Sequence, residues 1–186
     1  INGAATSPPT DIAIAKHLFE RIDRMGTTDL PGLKVWKKTL GSFNGDITLC
    51  ALRPSGEIHI LLGDFIVGGL STAVVALPVA EVFYGMTEKG FGLSDIIEEI
   101  NKKLLFILPE GMFFSACLME LDQERTLLTV WNGGMPDILV VDSQSRIKFR
   151  VSSGHMPLGL KGAKISDLKA GFVDLSVGDT VFWCSD

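Results

Sequence analysis

The stretch EIHILLGDFIVGGLSTAVVAL, residues 57–77, carries the reading that decides the fold. An apolar run reads as a strand, Gly63-Asp64 closes it, Gly68-Gly69 break it, and Leu70, Val74 and Leu77 then recur at helical spacing. Asp64 therefore stands where a strand hands over to a helix. It is either a turn former or a ligand.

Upstream, LKVWKKTL (33–40) sets Leu33 and Val35 against lysines, and DITLCALR (46–53) leads through Pro54-Ser55-Gly56 into the quoted stretch. This predicts three adjacent strands. Downstream, the helix from Leu70 extends toward Met86, with Pro78 expected to kink it or begin a second piece. Ser94 is expected to cap the next helix, whose Ile97, Ile100 and Leu104 form a buried stripe. Strands return in MFFSACLMEL (112–121), TLLTVWN (126–132), ILVVD (138–142), RIKFRV (146–151), FVDLSV (172–177) and TVFWCSD (180–186). Runs of sequential strands with segregated helices imply an α+β fold with antiparallel sheets. Several strands are apolar on both faces, so two sheets stack with helices outside, giving a four-layer α/β/β/α sandwich.

Before this domain, Pro8-Pro9-Thr10 opens an amphipathic helix with Ile12, Ala15, Phe19 and Ile22 on one stripe, ending near Gly26. That stripe suits either covering the domain's own sheet or continuing a dimerising linker. The expected organisation is a tail and linker helix over 1–30 and one domain over 31–186, the chain being read as cut from a longer one.

Composition excludes several function classes. With 186 residues, 46% hydrophobic and 21% charged, the chain can bury a substantial core. A net charge of −5 with scattered lysines and arginines leaves no footprint for nucleic acid. No apolar run reaches the length of a membrane span, which points to a cytoplasmic protein without membrane contact. Cys50, Cys117 and Cys184 are far apart and set in apolar runs, suiting reduced core thiols. His17 and His59 read as surface or satisfied histidines; His155, in a glycine-containing loop, is better placed but is no triad. Trp36, Trp131 and Trp183 read as packing residues on strands. Neither G-x-S-x-G nor a P-loop occurs.

The acids remain. Asp46 opens the second predicted strand, Asp64 closes the third and Asp186 ends the last. Carboxylates gathered at strand ends suit Mg²⁺ or Mn²⁺, which take hard oxygen ligands. Gly-Asp at a strand end is also ordinary turn chemistry, and spacing does not separate the two.

In order along the chain, NGD (44–46), LLGDFIVGGL (61–70), LPEGMFFSACLMELD (108–122), WNGGMPDILVVD (131–142), MPLGL (156–160) and VGDTVFWCSD (177–186) resemble the PPM (PP2C-like) protein serine phosphatases. The resemblance covers about 33–186 and is to the bacterial SpoIIE/RsbU group, in which the domain often serves as a response-regulator output. It implies the same four-layer sandwich with two Mn²⁺ or Mg²⁺ ions at one edge between the sheets. By the resemblance, Asp64 bridges both ions, Phe65 offers its carbonyl, Asp186 is a further ligand, and Asp46 acts directly or through water. Water would be the nucleophile, on a phosphoserine or phosphothreonine regulator such as an anti-sigma-factor antagonist. An upstream receiver domain and a homodimer through the N-terminal helix complete the implied partners.

This chain departs from the group in two places. Phe65-Ile66-Val67-Gly68-Gly69 stands where the group has a Ser/Thr-Gly-His-Gly run, and Met135 replaces the histidine of Asn-Ala-Gly-His-Pro. A second function class follows, a phosphatase-like adaptor that binds a sigma-factor regulatory partner without turnover.

Overall fold

A computed structural model describes residues 10–25, 30, 32–36, 45–66, 70–162 and 170–185. Three helices, α1 (Asp11–Met25), α2 (Leu70–Glu88) and α3 (Leu93–Ile107), accompany eight strands. The strands are β1 (Asp46–Leu52), β2 (Ile58–Phe65), β3 (Phe114–Leu121), β4 (Leu127–Gly133), β5 (Ile138–Val141), β6 (Ile147–Val151), β7 (Gly171–Asp174) and β8 (Thr180–Phe182). A five-stranded sheet runs β1-β2-β3-β4-β7 and a three-stranded sheet runs β6-β5-β8, with every strand pairing antiparallel. The expected α+β sandwich of two antiparallel sheets with flanking helices is thus in place, and the described helices lie on the five-stranded sheet.

The period-two alternation of the strands sorts the core into two layers. Ile47, Leu49, Leu61, Phe65, Phe114, Ala116, Leu118 and Trp131 face the helices, where they meet Ala76, Val79, Phe83, Ile96, Ile97, Ile100 and Leu104. Cys50, Ile58, Ile60, Leu62, Cys117, Met119 and Val130 face the other way and pack on Ile138 and Val140 of the second sheet. The α1 stripe turns Ile22 into the helix-side core, with Phe19 packed beside it. Thr10 opens that helix by accepting the Ala13 N–H at 3.3 Å.

Local readings differ from the structure at four points. Residues 32–36 form no strand, and Trp36 is 95% exposed; the alternating lysines that suggested an edge strand leave it with too little to bury. Residues 37–40 lie outside the described residues. Helix α2 runs unbroken through Pro78, so of the two expectations for that proline no second piece begins there; the burial of Ala76, Val79, Ala80 and Phe83 offsets one missing helical hydrogen bond. Helix α3 starts at Leu93 with Gly92 as its cap, where the Gly92 N–H donates to the Asp95 carboxylate at 3.3 Å, so Ser94 is not the cap. Cys184 is exposed, unlike Cys50 and Cys117, whose thiols burial pushes up to about 12.

One buried polar network stitches helix layer to sheet. His59 is fully buried on the helix side of β2; its Nδ1 lies 3.0 Å from Thr87 Oγ1 at the end of α2, and its Nε2 lies 2.7 Å from Glu120 Oε2 on β3. Arg53 joins the same carboxylate at 3.3 Å and donates to the Gly90 carbonyl at 2.7 Å. His59 is therefore the satisfied histidine its strand position suggested. The His59 hydrogen bond above all, helped by the Arg53 charge, holds the Glu120 carboxyl below its ordinary 4.5. A depressed carboxyl stabilises the fold above its unfolded value, and that contribution is lost as pH falls through the lower folded value. Glu120→Gln is expected to cost about 2 kcal/mol in urea unfolding at pH 7, the scale of a hydrogen bond to a charged group. The difference from the parent should shrink as the pH is taken below 4.5.

Candidate metal centre

The site begins with a turn at the far end of the first hairpin. Arg53-Pro54-Ser55-Gly56 closes with Gly56 N donating to Arg53 O at 2.9 Å and Arg53 N to Glu57 O at 2.8 Å. Gly56 sits at φ +103, a left-handed conformation that glycine adopts without strain. A turn of fixed length fixes register, and here it carries through to Asp46 opposite Asp64. A slip of one residue would send one acid to the other face.

The rung itself matters. Phe65 N donates to Gly45 O at 3.1 Å, which makes residues 45 and 65 a hydrogen-bonded pair and places Asp46 and Asp64 in the adjacent non-hydrogen-bonded rung. Side chains approach most closely in such rungs, and like charges directly opposite are destabilising. Both acids are half-buried and lie on the face toward the second sheet, the parity of Cys50 and of Ile60 and Leu62. Register thus sets two acids side by side at the end of the hairpin.

Neighbouring residues aim oxygen into the same place. A Cβ built on Gly45 would collide with Asp64 Oδ1 and with the Phe65 carbonyl oxygen, so both converge on the space that this glycine leaves empty. Phe65 is held there by its ring, buried in the helix-side core and stacked on Phe114 at 4.2 Å between centroids. The Phe114 ring in turn occupies the space over Gly63, where a side chain would strike it. A carboxylate and a carbonyl at this glycine, with Asp46 in the neighbouring rung, supply hard-oxygen donors that fit Mg²⁺ or Mn²⁺.

Across the sheet, register sets Ser115 beside Asp64 on the same face. One rung deeper, Thr48, Leu62, Cys117 and Asn132 form a buried row. Asn132 closes the loop that follows β4, with Nδ2 donating to Pro136 O at 3.0 Å and Oδ1 accepting Met135 N at 3.0 Å. Gly134, at φ +84, completes that turn.

Of the residues singled out in the sequence, Asp46, Asp64 and Phe65 come together. Asp186 lies outside the described residues; β8 brings the chain back along β5, with Trp183 packed on the inter-sheet core. Among the described residues no group of three or more His, Cys, Asp and Glu gathers to hold a metal. His155 stacks on Trp131 at 5.4 Å and belongs to packing; His17 is exposed on α1. Sequence reasoning passed over Gly45 and Ser115. Gly45 stands beside Asp46 in NGD, but only the folded hairpin shows that its missing side chain keeps the space open.

If the opposed acids repel as their register dictates, Asp46→Asn should stabilise the metal-free chain by about 0.2–1 kcal/mol in chemical denaturation with chelator present. A loss of stability would mean that the pair is held by some other group.

Comparisons with known proteins bear on this edge. The family model "Stage II sporulation protein E (SpoIIE)" matches residues 54–186. No curated protein sequence matches. The fold is similar to the SiaA-PP2C domain of Pseudomonas aeruginosa, with a TM-score of 0.70 and 17% identity over 90% of this chain and 67% of that one. It is also similar to the RsbU and RsbW domains of Rv1364c from Mycobacterium tuberculosis, at TM-score 0.61 and 17% identity. There the match spans 78% of this chain and only 39% of that one. RsbX, solved in complex with magnesium, matches at TM-score 0.55 and 13% identity over 76% of this chain and 64% of that one.

Proposed function

The chain belongs to the SpoIIE family, and we propose on that basis that it is a metal-dependent protein serine/threonine phosphatase domain. The observation that carries the reading is the Asp46–Asp64 rung, two like charges in register with the Phe65 carbonyl beside them. Carboxylates and a carbonyl gathered at the end of a hairpin are the hard-oxygen donors that Mg²⁺ and Mn²⁺ take. The magnesium found with RsbX supports a divalent cation here; two Mg²⁺ or Mn²⁺ ions would be held by Asp64, Asp46, the Phe65 carbonyl and Asp186.

When bound, such ions supply charge neutralisation and a water acidic enough to attack phosphorus. The chain's own residues do the rest. Asp46 and Asp64 would hold the ions from one hairpin, Gly45 leaves room for the Asp64 carboxylate and the Phe65 carbonyl, and the Phe65–Phe114 stack holds that carbonyl in position. Water attack leaves no acyl or phosphoryl group on the enzyme. No side chain in this set is a nucleophile of its own.

The substrate is a phosphoserine or phosphothreonine regulator of the anti-sigma-factor antagonist type, and the setting a cytoplasmic signalling protein with a receiver domain upstream. These readings draw on the motif resemblance to the SpoIIE/RsbU group. No helix among the described residues is long and apolar enough to cross a membrane. The domain division is residues 1–30 as tail and linker helix and 31–186 as the phosphatase domain. Helix α1 leaves Ile14 and Leu18 exposed, a pair that suits pairing with a second copy. Light scattering should give a dimer mass for the parent and a monomer mass for the Ile14→Glu/Leu18→Glu double variant; a monomeric parent contradicts the dimer.

A second reading, the binding adaptor, draws on one observation. Ile66, next to the site, is 54% exposed where a hydroxyl would serve catalysis better. Phosphate release from p-nitrophenyl phosphate or a phosphoserine protein separates the two. Catalysis requires a rate that depends on Mn²⁺ and falls at least about a hundredfold in Asp64→Asn, the scale of a lost electrostatic contact in the transition state. A parent with no metal-dependent rate leaves the adaptor standing.

A further inference from the structure

Beside the acids, the same sheet edge carries a hydroxyl with nothing to do. Ser115 lies directly across from Asp64 in the β2–β3 register, so its side chain projects from the same face one strand spacing away, about 4.8 Å. It is half-buried and forms no hydrogen bond among the described residues. Its Oγ is not sealed from solvent, so a ligand can reach it. Its Oγ leans away from the acid pair toward β4, to 2.9 Å from where a Cβ on Gly134 would stand.

Gly134 borders that hydroxyl. A side chain there would meet Ser115 Oγ and, at 2.7 Å, the Pro157 ring. The Gly134 N–H is already committed to Ser153 Oγ at 2.8 Å, so the backbone of this loop cannot serve as the donor instead. Nor do the arginines with defined partners, since Arg53 is engaged by Glu120 and Gly90, Arg146 by Asp142, and Arg150 by Asp137. A phosphoryl group brought to the acid pair needs a donor for the oxygens that face away from it. The free hydroxyl one strand over is the group available.

We propose that Ser115 is a phosphoryl-binding residue of this site, its Oγ–H donating to a non-bridging phosphoryl oxygen. The inference rests on the phosphatase reading and deepens it. It predicts that Ser115 acts on phosphate and not on the cation. It also predicts that a bulkier hydroxyl on the same carbon preserves the role.

The test compares the parent chain with Ser115→Ala, Ser115→Thr and Gly134→Ala. The measurements are kcat and KM for p-nitrophenyl phosphate, inhibition by inorganic phosphate, and Mn²⁺ affinity by calorimetry. Ser115→Ala should lower kcat/KM about tenfold, one modest hydrogen bond at about 1.4 kcal/mol. It should weaken phosphate inhibition while leaving Mn²⁺ affinity unchanged, and Ser115→Thr should recover most of the loss. Gly134→Ala, strained by that residue's φ of +84, should lose stability in urea unfolding, which Ser115→Ala should not, and so marks what a merely structural loss looks like. Unchanged kinetics and phosphate inhibition in Ser115→Ala overturn the inference while the phosphatase reading stands. So does a loss that tracks weakened Mn²⁺ binding or is not recovered by Thr. A parent chain that neither binds Mn²⁺ nor hydrolyses the ester overturns both.

Discussion

Two carboxylates face each other across the closest kind of rung in an antiparallel sheet, and the cost of that placement organises the rest of the molecule. Asp46 and Asp64 would separate if the hairpin could slip, but the Arg53–Gly56 turn fixes its register and every rung from Leu52–Ile58 onward carries it forward. Below the acids, each rung becomes more apolar, from Thr48 and Leu62 to Cys50 and Ile60. The buried rungs hold the acidic one in register. Sites that trade stability for chemistry are commonly built this way, with strain or like charge kept where the surrounding structure over-determines it.

The same logic explains the aromatic pair behind the site. Phe65 is a core residue by its side chain and a candidate ligand by its carbonyl, and stacking on Phe114 couples the two roles. Gly63 and Gly45 are the two positions where the hairpin yields space, one to the Phe114 ring and the other to oxygen atoms. Hence the Asn-Gly-Asp and Leu-Gly-Asp segments are more than turn chemistry. Each glycine makes room for what its neighbouring acid needs.

Much of this was legible in the sequence. The alternation of 46–53 and 57–65 and the stripe of α3 come from hydrophobic periodicity, which burial enforces directly. The two acids at strand ends were also visible, and the ordered motifs tied them to a family. What was not legible depends on pairing between distant segments. Nothing in the spacing of Asp46 and Asp64 says that they share a rung, and nothing local says that Ser115 joins them from β3. Errors arose where local propensity met tertiary demand: Pro78 stays inside a buried helix, and the alternating 33–36 finds no sheet to join. The polar character expected after Asp64 falls on Ile66 and on residues 67–69, the latter outside the described residues.

The account stands or falls on whether the Asp46–Asp64 rung holds a cation. Thermal unfolding of the chain across a titration of Mn²⁺ measures this without requiring turnover or a known substrate. Binding to the folded state alone raises the melting temperature with the logarithm of metal concentration above its dissociation constant. The account predicts such a rise for the parent chain and its loss in Asp64→Asn. A parent melting temperature that does not move with Mn²⁺ or Mg²⁺, or one that rises equally in Asp64→Asn, would contradict it.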